Sequence, residues 1–177
     1  MENNNENTNR PCTVFKTKWF SIEAVPFETP CSEPYYRLSC DNSVSIIART
    51  VEGEFILVRQ YRPAIKGYIL ELPSGYIDEN ETPEYAIKRE LQEETGFVCG
   101  SILYLGSLKI CPSRINNDLH VFFGKDAKLE NVQGRETQEV EVLLVSQSKL
   151  RKLIMENQYK ETAGIAMYLL AQMKGCF

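Results

Sequence analysis

Two rhythms of apolar and polar positions divide this chain, one of period two and one of period near 3.6. Residues 13–25 (TVFKTKWFSIEAV) alternate and predict a strand, and residues 35–38 (YYRL) resume the extended pattern after a turn-rich connection. Residues 44–50 (VSIIART) read as a buried strand. Glu52-Gly53 then predicts a hairpin turn into a second strand over 54–61 (EFILVRQY). Pro63 ends that pairing because it has no N–H for the ladder. Further strands are predicted over 101–110, 119–124 and 139–145, the first of them broken by Cys111-Pro112-Ser113.

Three stretches switch to the helical period. Thr82-Pro83 is a helix start, since Thr caps free N–H groups and Pro lacks the donor that would go unpaired. Gly96 stops that helix. Leu150, Leu153 and Ile154 give residues 148–157 an apolar stripe, and Ala166, Leu169, Leu170 and Met173 give one to residues 161–174. These two helices should cover one sheet face and the first helix the other. Residues 1–11 begin asparagine-rich and polar and are expected to be a disordered tail, leaving 12–177 as a single domain without repeats.

The first helix carries its carboxylates in an unusual place. At about 100° per residue, Glu90, Glu93 and Glu94 share one arc with Ala86, beside Ile87 and Leu91. Glu84, Lys88, Gln92 and Thr95 make the opposite face. Solvated charges ordinarily lie opposite the apolar face. Glu90 and Glu94 are four residues apart, a like-charge spacing that costs about 0.2–0.5 kcal/mol per pair, and adjacent Arg89 relieves only part of it. A hard divalent cation would relieve all of it, because magnesium takes carboxylate oxygens, waters and phosphates. A plain solvated acidic face is the competing reading of three glutamates alone.

The surrounding residues reverse that weighting. Gly75, Glu81 and the run Arg89-Glu90-Leu91-Gln92-Glu93-Glu94-Thr95-Gly96-Phe97 resemble the signature of the Nudix family at every fixed position. That family hydrolyses nucleoside diphosphates linked to another moiety, using divalent metal. VRQYRP (58–63), GYILELPSG (67–75) and the placement of Pro112 sixteen residues after Gly96 are similar to its ADP-ribose pyrophosphatase branch. The resemblance implies an α/β fold with a mixed sheet sandwiched between helices, which the strand–helix order permits.

It also implies roles for named residues. Glu90, Glu94 and the Ser74 carbonyl would hold the metal, with Glu93 as a further ligand or catalytic orienter. The ion would be magnesium, with manganese as the alternative. Arg89 would fix the glutamates and Arg62 would hold diphosphate. A loop glutamate would position the attacking water, Glu136 by its distance from the following strand or Glu139 as its rival; an ordinary acidic loop is the bland alternative. Trp19, Tyr36, Arg62, Tyr76 and Cys111 form the candidate substrate-binding set. One human relative in this branch holds adenine between two tryptophans, one from each subunit of a homodimer. Trp19 matches the first, but the second position falls near Tyr36, which keeps a GDP- or UDP-sugar open. Read without the resemblance, Trp19 is equally a core residue. His120, alternating with apolar neighbours, reads as structural.

Composition narrows the setting. The 177 residues carry a net charge of −4, which argues against a nucleic-acid coat or a binder of anionic membranes. Six cysteines lack CxxC spacing, so neither a zinc site nor a disulfide framework is expected. No apolar run reaches membrane-spanning length and no signal-peptide core is visible, so a reduced, cytoplasmic protein is expected. The substrate expected is a small nucleotide sugar, with a nucleotide-sensing module that does not cleave as the non-enzymatic alternative.

Overall fold

The computed structural model describes residues 10–26, 33–130 and 140–177. Most of the expected tail, part of the 26–34 connection, and both Glu136 and Glu139 lie outside these residues. Strands β1 (Cys12–Lys16), β2 (Phe20–Val25) and β3 (Tyr35–Cys40) form one antiparallel sheet. The strand expected over 13–25 is therefore two strands. Thr17 turns the chain between them, its hydroxyl oxygen accepting from the N–H groups of Trp19 and Phe20, each at 3.1 Å. β3 is tied to the rest through Leu38, which exchanges backbone hydrogen bonds with Arg114 and Asn116.

The larger, mixed sheet is built on β4 (Ser43–Thr50), β5 (Phe55–Arg62), β6 (Gly67–Glu71), β7 (Ser74–Tyr76), β8 (Phe97–Val98), β9 (Ser101–Leu108), β10 (Leu119–Leu129) and β11 (Glu141–Val145). β4 and β10 run parallel, and the other pairs are antiparallel. β10 outlasts the expected 119–124 because it changes register after Gly124 and goes on to pair β8.

Three helices cover the sheet: α1 (Pro83–Thr95), α2 (Gln147–Met155) and α3 (Thr162–Met173). Alternation in the buried strands assigns the layers. Val44, Ile46 and Ala48 pack with Ala86, Ile87 and Leu91 of α1. Ile47 packs with Leu150 and Leu153 of α2 and Met167 of α3. The expected sandwich holds.

The α3 stripe holds only at Leu170, which packs partly buried against the core. The buried residues of α3 are Ala163, Gly164, Met167, Tyr168 and Ala171, whereas Ala166 and Leu169 are exposed and Met173 is 77 % exposed. Gly164 has no room for a side chain, so the helix entry sits close against Tyr159 and turns Met167, Tyr168 and Ala171 to the core. Thr95 also departs from expectation. It is fully buried, its hydroxyl donating to the Leu91 carbonyl and accepting from the Phe97 N–H as the chain folds back over the helix end.

One irregularity positions everything that follows. β4 and β5 meet at Arg49↔Phe55, beside their hairpin turn. Away from it they diverge, β4 pairing β7 from Ser43↔Tyr76 to Ser45↔Ser74 and β5 pairing β6 from Val58↔Glu71 to Arg62↔Gly67. Pro73 spans the fork, its carbonyl accepting from the Ile46 N–H at 3.0 Å and the Ser45 hydroxyl at 3.2 Å.

Candidate active site

α1 forms where its termini dictate. The Thr82 hydroxyl accepts from the Tyr85 N–H, Pro83 occupies the first turn, and Gly96 closes the helix at φ 77°, its N–H donating to the Gln92 carbonyl. The helix lies against β7, and the contact explains Gly75. A Cβ there would fall 2.0 Å from the Glu90 carboxylate. Only a glycine strand lets Glu90 pass.

Arg89 organises the acidic groups. Its Nε and Nη2 donate to the two oxygens of Glu81, each at 2.9 Å. Nη1 donates to Glu90 at 2.8 Å and to Glu93 at 3.1 Å, and Nη2 also donates to the Tyr76 carbonyl at 3.1 Å. The guanidinium hydrogen bonds hold the Glu81 carboxyl below the usual carboxylate range. They raise the pKa of Arg89 itself, Glu81 contributing most.

Among the described residues Glu94 has no such guanidinium partner. It accepts from the Ser74 N–H at 3.0 Å, and burial pushes its carboxyl up to about 7, with Glu90 and Glu71 adding to the shift and Arg62 opposing it. Glu90 is also raised, by burial first, with Arg89 opposing.

A cavity of about 600 Å³ occupies the fork of the sheet. Gln60 and Arg62 of β5, Glu71 of β6, Ser74, Gly75 and Tyr76 of β7, and Glu90 and Glu94 of α1 line it, with Asp78 beside them. Glu161 and Ala163 close it from the α3 side. Its described lining thus holds five carboxylates (Glu71, Asp78, Glu90, Glu94, Glu161) and one cation, Arg62. Arg62 is itself held, donating from Nε to both oxygens of Glu71 at 3.2 and 3.0 Å, while Gln60 donates to Glu71 at 2.7 Å. A second cavity of about 530 Å³ shares Tyr76 and Asp78 with the first and is lined further by Lys18, Trp19, Asp41, Ile77 and Glu79. Trp19 is 60 % exposed, which removes the core reading, and the Lys18 ammonium lies 4.3 Å from its ring centre.

The fork therefore brings together Arg62, Ser74, Tyr76, Glu90 and Glu94, with Arg89 behind them and Trp19 in the adjoining cavity. Glu93 is drawn aside by Arg89 and lines neither cavity. Tyr36 is exposed on β3 and also lines neither. Cys111 follows Ile110, which does line the larger cavity, but its own sulfur lies 3.6 Å from the Ser113 hydroxyl. His120 shares a hydrogen bond with the Tyr104 hydroxyl, away from both cavities. Gln60, Glu71 and Glu161 were missed in the sequence. Gln60 and Glu71 had a faint signal, since residues 58, 60 and 62 share a strand face that the pairing of Glu71 with Val58 extends.

The donor set suits a hard cation. Two partly buried carboxylates, Glu90 and Glu94, line the cavity, and among the described residues neither a soft sulfur nor an imidazole does. Among the described residues no three acidic, histidine or cysteine side chains already converge at ligating distance. Magnesium does not require that, because it commonly binds through one or two carboxylates plus waters and substrate phosphates.

A family model for the NUDIX domain matches residues 41–163, a stretch that leaves β1–β3 outside it. The chain is similar to the ADP-ribose pyrophosphatase of Bacillus subtilis (strain 168), with 30 % identity over 131 residues, 72 % of this chain and 71 % of that one. It is 24 % identical over 163 residues to the ADP compounds hydrolase NudE of Escherichia coli (strain K12), covering 90 % and 88 % of the two chains. The crystal structure of an ADP compounds hydrolase shares the fold with a TM-score of 0.77 at 22 % identity, over 93 % of this chain and 90 % of that one.

Proposed function

Because the chain belongs to the NUDIX domain family, we propose that it hydrolyses the diphosphate of a nucleoside diphosphate sugar, with ADP-ribose, cleaved to AMP and ribose 5-phosphate, as the first candidate. The observation that carries this reading is the charge of the fork. A cavity whose described lining carries five carboxylates and one arginine repels a diphosphate unless cations neutralise it, and Glu94, whose carboxyl is raised by burial, feels that arginine's charge.

The residues divide the work. Arg62 is oriented by Glu71 and presents its remaining donors to phosphate oxygens, the geometry in which arginine binds phosphate well. Glu90, Glu94 and the Ser74 carbonyl would hold divalent metal, magnesium before manganese. Metal bound there would supply charge to polarise phosphoryl oxygens and to activate the attacking water. Arg89 keeps Glu90 and Glu93 in place. A water oxygen bonds to one phosphorus, the bridging P–O bond breaks, and the bridging oxygen leaves with the other half of the substrate. Glu136 or Glu139 is assigned to receive the water proton. Trp19 stacks on the base. Its position beside Tyr76 and Asp78, which both cavities share, suits a substrate that spans the two. Exposed Val14 and Phe15 on β1 and Trp19 in the turn after it support a homodimer, and the cytoplasm is the setting proposed for it.

A phosphate-release screen over ADP-ribose, GDP-mannose, UDP-glucose, NADH and nucleoside triphosphates tests the reading, run with magnesium and again with a chelator. ADP-ribose should lead, and the chelator should abolish turnover. Cleavage of triphosphates alone, or undiminished turnover in chelator, would sink it.

A further inference from the structure

Glu161 lines the cavity but belongs to none of the roles above. It is the N-cap of α3, with Oε1 accepting from the Ala163 N–H at 2.8 Å. Oε2 accepts from the Gly164 N–H at 2.6 Å and from the Tyr159 hydroxyl at 3.1 Å. Tyr159 is itself buried. A Cβ on residue 164 would fall 1.9 Å from the Tyr159 hydroxyl oxygen and 2.5 Å from Glu161 Oε2, so glycine is required for this arrangement. Three donors and one glycine thus fix a single carboxylate.

Helix capping alone does not call for that. Ser, Thr, Asp and Asn cap best, and on a surface they do so without burying charge. Glu161 is instead withdrawn into the cavity wall, and burial is the main reason its carboxyl is pushed up. Its oxygens are not saturated, because a carboxylate offers about four acceptor positions and three are filled. Glu71 faces the same space but is already occupied by Arg62 and Gln60.

Position supplies the rest. α1 packs on one sheet face and α3 on the other, so Glu94 and Glu161 look into the fork from opposite sides. A substrate whose diphosphate lies at Arg62 and Glu94 reaches Trp19 through Tyr76 and Asp78, which line both cavities. Glu161 lines the larger cavity and not the Trp19 one, so it is open to the part of the substrate that does not enter the Trp19 cavity. We propose that Glu161 accepts hydrogen bonds from the hydroxyls of the sugar beyond the diphosphate, and so selects polyhydroxylated leaving groups. This rests on the function proposed above and names the part of the substrate that function leaves open. Sites built to hydrogen-bond a hydroxyl discriminate strongly against ligands lacking it.

Product inhibition separates the two halves of the substrate. In magnesium, Ki is measured for ribose 5-phosphate and for AMP on wild type, Glu161→Asp and Glu161→Gln. Aspartate keeps a good cap and the charge but retracts the carboxylate by one methylene. The Ki for ribose 5-phosphate should rise about tenfold or more in both variants, with the Ki for AMP within about twofold. The ratio of the two constants does not depend on the folded fraction, so a partly unstable variant still decides the matter. An unchanged ratio in a wild type that cleaves nucleoside diphosphate sugars overturns this inference and leaves the function standing. A wild type that cleaves none overturns both.

Discussion

Glu94 is where burial and charge conflict most. Its folded pKa of about 7 lies above the ordinary 4.5 for a glutamate, so the folded chain binds this proton more tightly than the unfolded chain does. Without metal, the ionised side chain therefore opposes folding above about pH 7, and the penalty fades as pH falls toward 4.5. Glu94→Gln removes that penalty while its amide oxygen still accepts from Ser74. In chelator at pH 8 the variant should be more stable than wild type by on the order of 1–3 kcal/mol, and the gain should vanish by pH 4.5. A gain that persists in acid would show that charge is not the cause. With magnesium the order of activity reverses, and turnover should fall by roughly two to four decades. At this scale the glutamates of α1 were legible because their spacing is itself the signal. Glu71 and Glu161 were not, since an isolated carboxylate carries no mark of the distant strand or helix end it will face.

Among the elements, α1 could be read to the residue, because Thr82, Pro83 and Gly96 are local instructions that need no partner. The stripe of α3 could not. Its face is chosen by how closely Gly164 must approach Tyr159, a contact across the helix entry that apolar counting cannot see. Gly75 belongs to the same class. Its place in the signature was plain, but its reason, the passage of Glu90, appears only when β7 and α1 meet. Gly75→Ala should leave the circular dichroism spectrum intact, because the flexible end of Glu90 gives way before the backbone does. The displaced carboxylate should cost about a hundredfold in kcat/KM, and part of that should return at higher magnesium. Wild-type kcat/KM in this variant would mean that Glu90 is not needed where it stands.

At the scale of the whole molecule, Val14 and Phe15 of β1 and Trp19 in the turn after it stand in solvent, apolar surface of the kind a subunit contact would cover. Light scattering should report a homodimer at micromolar concentration, and a monomer there would refute the assembly proposed above. Trp19 offers the sharper test, because its exposure now separates two explanations that its sequence could not. A core tryptophan cut to alanine costs about 3–5 kcal/mol, whereas a surface substitution away from special features stays within about 0.5 kcal/mol. At 60 % exposure the second applies, so Trp19→Ala should melt close to wild type. A stacked base is worth about 1–3 kcal/mol. That contact is remote from the scissile bond and equal in ground and transition states, so its loss raises KM and spares kcat. KM for ADP-ribose should therefore rise roughly tenfold to a hundredfold, with kcat within a few-fold of wild type. The protein must be assayed at a concentration where light scattering shows the same assembly for both forms, or a lost subunit contact would mimic a lost base contact. An unchanged KM at matched assembly would place base recognition away from the Trp19 cavity.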